Sequence, residues 1–473
     1  MKIPFGKPYP SIDNVELREG FASSLIDGFI EEIPGQQEVF VYRKRPGLTL
    51  FATHADAKSI DSLFENKDGI VLAVSNGKVF RVNSNGTLTD FTGDTITVGA
   101  QCRWAEDDTN AYVAYGGKIA KVSTSGLTVT ILTNAPANAT HVTYIEGFLL
   151  CNGGTIAGDV NFSEDKANGY NLSTSWEFFN NQKLPDGCLA VDGDWNELFA
   201  FGQNSIEVSI NTGDAQTPWQ PFEGTFSPYG TLSGYSVVRL NGTFYWLGIY
   251  DDVPKVMRLK GRVPEPISWP YDSVINTLTL TDAIAWPVVM QGKNFYVITF
   301  PTSNITLCYN VQLDHWSQLA YWNGATYDAW LGNAFVFSRL QNKTFVGDRR
   351  ANGRIYTMEG LTDNTDAIRF KLTSGWISWG TDRPKTCGRI VYKVKRGTAT
   401  DSSTPVFSVA LRDDGHPTAA PARNVSLGIT SDKEFYGNLN RCGMYRQREH
   451  SIIHVDTKSE FLFVHADESY TVS

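Results

Sequence analysis

Cysteine is sparse in this chain of 473 residues, and no two of the six share metal-binding spacing. Cys102, Cys151, Cys188, Cys308, Cys387 and Cys442 are scattered without a CxxC. That excludes a zinc finger or a dense disulfide framework and fits buried, reduced thiols made in a cytosol. Charged residues are only 19% of the chain, which excludes a disordered or coiled-coil protein. The formal net charge is −9, the wrong sign for a protein that grips nucleic acid phosphates. The densest basic clusters, Arg43-Lys44-Arg45 and Arg349-Arg350, read as solvated charge beside strands. No apolar run is long enough to span a bilayer; Ala283-Ile284-Ala285-Trp286-Pro287-Val288-Val289-Met290 is among the longest. Methionine is scarce and no basic amphipathic helix stands out, so no membrane insertion is expected. The segment Met1 to Pro8 has no apolar h-region, so no signal peptide is expected.

Aromatic residues, in contrast, are abundant at 12%, and 42 glycines accompany many Thr and Val. This balance favours β-structure with a large core. Two stretches about forty positions apart read almost alike. Val74-Ser75-Asn76-Gly77-Lys78-Val79-Phe80-Arg81-Val82-Asn83 is answered by Ala114-Tyr115-Gly116-Gly117-Lys118-Ile119-Ala120-Lys121-Val122-Ser123. Each is a short β run, a tight glycine turn and a second, alternating β run. Five more units follow: 148–162, 197–208, 242–259, 295–309 and 343–356. One such sheet cannot bury its own apolar face, so repeated sheets must pack around an axis. The chain is therefore expected to be all-β: a β-propeller of about seven blades followed by a C-terminal β-sandwich. Six blades is the alternative count, with the third unit as an insertion. The expected boundaries are 1–45 for an N-terminal arm and first strand, 46–360 for the propeller and 361–473 for the sandwich. Strand candidates in the last part are Ile390 to Val394, Val406 to Leu411, Ser451 to Val455 and Phe461 to Val464. Within the arm they are Ile26 to Ile30 and Val39 to Tyr42. Phe244, Trp246, Phe295 and Tyr296 read as blade core.

Carboxylates are the serious candidates for chemistry, since acid–base work needs two carboxyls about 5–10 Å apart. The densest sets are Glu106-Asp107-Asp108, Asp192-Gly193-Asp194 and Asp251-Asp252. Each sits among turn residues and reads as turn chemistry. Asp192 to Glu197 is too short for a calcium loop and places Trp195 inside it. Ser163-Glu164-Asp165 before Gly169 and Trp176 resembles a sialidase turn box only loosely. Of His54, His141, His315, His416, His450, His454 and His465, only His450 and His454 have ligand-like spacing. Their surroundings alternate as a strand, where positions four apart are distant. There is no GxSxG, P-loop or helix-opening GxGxxG. No catalytic, cofactor-binding or metal-ligating residue is assigned, and no cofactor is expected.

Several phrases in order resemble the tail hub family of short-tailed, podovirus-type bacteriophages, the packaged-DNA stabilisation proteins. They begin with Arg45-Pro46-Gly47-Leu48 and Ser205-Ile206-Glu207-Val208. Thr212-Gly213, Trp219-Gln220-Pro221-Phe222, Tyr245-Trp246-Leu247-Gly248 and Arg258-Leu259-Lys260-Gly261 come next. Tyr296 to Pro301, Tyr309-Asn310-Val311 with Trp316, and Val346-Gly347-Asp348 with Gly353-Arg354-Ile355-Tyr356 complete the propeller part. Arg412-Asp413-Asp414-Gly415, Ser426-Leu427-Gly428 and Cys442-Gly443 are similar to the family's tail sandwich. Cys442 departs from the pattern, in a stretch where arginine is expected. The resemblance implies a non-enzymatic virion tail protein, synthesised in the host cytoplasm. It implies a homo-hexameric ring below the portal and head-to-tail adaptor, extending the DNA conduit and helping to retain packaged DNA. Spikes or fibres and a needle or plug protein would dock on it, and double-stranded DNA would pass without specific binding. A carbohydrate-active propeller enzyme and a glycan-binding propeller are the alternatives.

Overall fold

The computed structural model describes residues 1–10, 22–32, 40–165, 170, 176–180, 183–184, 186–214, 217–396, 405–427 and 435–472. Val39, Gly169 and Gly428 of the sequence reading lie outside the described residues.

The hairpin units are the second and third strands of successive antiparallel sheets. Val71–Ser75 and Lys78–Val82 turn at Asn76 and Gly77, whose φ of 51° and 75° favour an Asn-Gly pair. Each hairpin gains an inner strand before it, and in six of the seven an outer strand after it. Blade one runs Ile60–Glu65, Val71–Ser75, Lys78–Val82, Leu88–Asp90 in that spatial order. Blade two is built on Arg103–Glu106 and Ala111–Ala114, blade three on Val142–Ile145 and Phe148–Asn152. Blade four begins with Cys188–Asp194, blade five with Val238–Leu240 and blade six with Ile284–Met290. The third unit is a full four-stranded blade, so the count is seven.

Blade seven takes three strands from the end of the propeller, Gly332–Ser338, Lys343–Asp348 and Arg354–Thr357. Its outer strand is Thr49–Thr53, paired antiparallel with Arg354–Thr357. The ring is thus clasped by strands from its two ends. Asn333 Nδ2 donates to the Ile60 carbonyl at 2.9 Å, tying blade seven to blade one.

Phe244, Trp246, Phe295 and Tyr296 are buried between blades. Trp246 Nε1 donates to the Gly230 carbonyl at 3.0 Å, which satisfies its one polar atom. Each such side chain contributes about 1.5–3 kcal/mol through apolar burial.

The segment read as an arm is part of the sandwich. Ala22–Ile26 joins Phe370–Ser374, Arg448–His454, Val406–Asp413 and Arg423–Ser426 in one sheet. Gly28–Glu32 and Phe40–Lys44 join Leu462–Val472, Lys385–Lys395 and Phe435–Tyr445 in the other. The sheets share one core, with Leu25, Ile30, Leu372, Ile390, Phe407 and Phe463. Asp27, at φ 55°, turns the chain from one sheet to the other. Ile26 also pairs in parallel with Gln318 on the outer strand of blade six, His315–Trp322. Blade six and the first sandwich sheet are therefore one continuous sheet.

Candidate functional site

The two positions where this fold gathers chemistry are the propeller axis and the seam between propeller and sandwich. At the axis, inner strands from seven blades converge, and Arg103 of blade two reaches across. Its Nη2 donates to the Tyr235 carbonyl at 2.6 Å, before blade five, and to Ala285 of blade six at 3.2 Å. The guanidinium stands over the Trp286 ring at 4.6 Å and the Tyr235 ring at 5.4 Å. Tyr235 closes the span by donating its hydroxyl to the Gln101 carbonyl at 3.1 Å. Burial pulls the Arg103 pKa down to about 10, still a cation at neutral pH. Beside this brace lies a cavity of about 460 Å³, lined by Phe64, Trp104, Asp192, Arg239, Trp286 and Phe337 among others. Another, of about 500 Å³, lies between blades three, four and five beside His141 and Asn152. Neither resembles a bore for a duplex whose major groove alone is about 12 Å wide.

The three acidic clusters do not converge. Asp107 caps a turn: its Oδ1 accepts from the Thr109 and Asn110 amides at 2.6 and 2.7 Å, its Oδ2 from Tyr112 and Tyr170. Burial pushes its pKa up, but these donors outweigh burial and hold it below the usual value. Glu106 accepts from the Lys67 amide, and Asp251 and Asp252 form a hairpin turn at φ 49° and 61°. Asp192 lines the axial cavity, its pKa raised by burial, while Asp194 pairs with Arg239 at 3.2 Å. Trp195 projects from the tip of blade four, 91% exposed. Among the described residues no group of three or more His, Cys, Asp or Glu is placed to hold a metal ion. His450 and His454 share the buried face of one strand but meet different neighbours, Glu468 at 3.8 Å and Lys44 at 3.5 Å. No helix in the described residues is long and apolar enough to cross a membrane.

The first basic cluster corrects the sequence reading, while Arg349 and Arg350 remain partly exposed beside a strand. Arg45 is buried, not solvated. Its Nε donates to Asp27 Oδ1 at 2.7 Å, and Nη2 also reaches the Ala320 carbonyl at 3.0 Å. Asp363 supplies a second carboxylate. Lys44 is buried too, its pKa lowered by burial to about 8. Arg350 pairs with the buried Asp348, Nη2 to Oδ2 at 2.8 Å, and covers the Tyr321 ring. For Arg45 the partners are distant in sequence, Asp363 above all, and a local reading cannot see them, whereas Asp348 lies two positions before Arg350. Arg103 was not singled out; one arginine in an otherwise ordinary inner strand carries no local signal.

Seven sheets clasped into a circle, braced across the axis and fused to a ten-stranded sheet, define a closed β-propeller with an appended β-sandwich. The chain belongs to the phage stabilisation family: the family model, described as bacteriophage P22 Gp10, beta-propeller, matches residues 32–363. It is thus a bacteriophage structural protein of the Gp10 propeller type. No curated protein matches the chain. Among solved structures, the extracellular domain of a hybrid two component system from B. thetaiotaomicron is similar at 10% identity and TM-score 0.47. That match covers 69% of this chain, which spans only 44% of the other. Virginiamycin B lyase from Staphylococcus aureus is similar at 12% identity and TM-score 0.43, over 66% of this chain and 98% of the lyase. The propeller assignment rests on the chain's own sheets and on the family, not on these distant likenesses.

Proposed function

We propose that this protein is a ring-forming tail hub of a short-tailed phage, seated below portal and adaptor. The hub extends the DNA conduit, helps retain packaged DNA, and presents surfaces to spikes or fibres and to a needle or plug. One observation supports this reading beyond the family: Arg103 bridges blades two, five and six across the propeller's own axis. With its axis bridged, a single subunit is a poor conduit, and the reading places the conduit between copies arranged in a ring. The net charge of −9 suits a wall along which DNA slides without being held by counterion release. Light scattering after size-exclusion, alone and with the adaptor–portal complex, tests the proposal. A ring in either sample supports it; a monomer in both, with no binding to the complex, overturns it.

A further inference from the structure

We propose that Cys387 and Cys442 form a thiol–disulfide exchange site, at which a small-molecule disulfide closes an intrachain bond stapling the sandwich's edge strand. The inference concerns the sandwich alone and does not rest on the tail role.

Lys385–Lys395 and Phe435–Tyr445 are neighbours in the second sandwich sheet, with Cys387 opposite Gly443. In regular pairing Cys442, one position along, would face the other side of the sheet. The pairing register shifts between Cys387 and Arg389. Arg441 and Gly443, flanking Cys442, both adopt positive φ, 56° and 78°. This bulge turns Cys442 inward, and both thiols enter the same core. There the two side chains are near enough in one buried cluster for each sulfur to influence the other's ionisation.

The surroundings assign distinct roles to the two sulfurs. Arg423 Nη2 lies 3.8 Å from Cys442 Sγ. The Cys387 thiol and Arg423 bring the Cys442 pKa down to about 7, so thiolate is available at neutral pH. Cys387 is shifted upward, by the neighbouring Cys442, by burial and by the Glu468 carboxylate beside it. Cys442 is therefore the attacking sulfur. Its thiolate displaces one thiolate from the small disulfide and forms a mixed disulfide. Cys387 then loses its proton, for which Glu468 is the adjacent acceptor, and attacks Cys442 Sγ. The second small thiolate leaves and takes that proton. Two protein thiols are oxidised and one small disulfide is reduced to two thiols. Phe435–Tyr445 lies at the edge of its sheet, so local opening admits the reagent.

The test exposes the intact, native chain to oxidised glutathione, followed by alkylation, intact mass measurement and non-reducing peptide mapping. The expected product has lost two hydrogens, carries a peptide linked between Cys387 and Cys442, and keeps the other four cysteines alkylated. Cys387→Ser should hold the reaction at a glutathione adduct on Cys442. The wild-type map is decisive even if that variant folds poorly. Should both thiols in the wild type remain alkylatable, or glutathione persist on Cys442, under conditions that oxidise a dithiol control peptide, the proposal fails.

Discussion

Arg45 grips Asp363 with a two-pronged ion pair, Nη1 to Oδ1 at 2.8 Å and Nη2 to Oδ2 at 2.6 Å, both side chains essentially out of solvent. The pair locks the strand entering the propeller to the segment leaving it. Asp27 adds a second carboxylate against one guanidinium, and its Oδ2 has no hydrogen-bond partner among the described residues. Burial raises the Asp27 pKa to about 6, as expected for the surplus negative charge.

The two acids should therefore respond differently to mutation. Asp363→Ala leaves a buried guanidinium short of its main partner and should cost about 3–5 kcal/mol. Asp27→Asn keeps an acceptor for Arg45 Nε and the Ala320 amide, removes the surplus charge and tolerates the positive φ, so its effect should stay within about 1 kcal/mol. Denaturant titration of both variants checks this. Equal losses would refute the assignment of Asp27 as the surplus charge.

Trp246 lies at the packed interface between blades four and five, against Phe201 at a ring separation of 5.6 Å. Trp246→Ala should destabilise the chain by about 3–5 kcal/mol, through the cavity and the orphaned Gly230 carbonyl. Unchanged melting of a well-folded variant would remove Trp246 from the core.

Arg103→Ala should leave the Tyr235 and Ala285 carbonyls without their donor and cost about 2 kcal/mol. Arg103→Lys recovers little, because one ammonium cannot reproduce the planar fork over two rings. Hydrogen exchange should speed up at the inner strands of blades two, five and six while the outer strands stay protected. Uniform exchange across all blades would argue against an axial brace.

Acid should weaken the fold. Burial holds His315 and His450 down at about 3, and pushes His141 and His454 well below the usual value. The unfolded imidazoles take up protons near about 6.5 whereas the folded ones resist, so their contribution is intact above that pH. It is lost as pH falls toward 3, each site approaching about 1.4 kcal/mol per pH unit. Asp27 and Asp61, raised to about 6 by burial, act in the opposite sense between about pH 6 and 4, and Asp192, Glu106 and Asp159, also raised by burial, add to them. Four histidines with wide shifts outweigh these acids, so the urea midpoint should fall from about pH 7.5 to about pH 5. His315→Gln should reduce this loss, since Gln can accept the Ile30 amide that His315 Nε2 accepts at 3.2 Å. A midpoint that rises on acidification would reverse the argument.

Hairpins were legible because their signals are local. Asn76-Gly77, Asn241-Gly242 and Gln291-Gly292 are turns with positive φ at both residues, each flanked by alternating apolar strands. Trp246 and Phe295 declared themselves by lying in those strands. The arm did not, because its strands find partners far along the chain: Ala22 pairs with Ser374, and Tyr42 with Phe463. The same distance hid the Arg45–Asp363 pair inside what looked like a surface basic run. At the axis, only closure of the ring brings Arg103 to Tyr235 and Ala285. Asp107 was readable as a turn acid from its neighbours Thr109 and Asn110, but its partner Tyr170 is distant in sequence, and Asp192, read the same way, lies within the strand Cys188–Asp194.

The clasp of blade seven also sets a schedule for biogenesis. Thr49–Thr53 leaves the ribosome early but has no partner until Arg354–Thr357 has been made. A nascent chain therefore carries blade one with its flank uncovered, Ile60 included, for most of translation. A prematurely terminated product keeps that flank open to chaperones and proteases. Only a chain synthesised past Thr357 can seal its circumference.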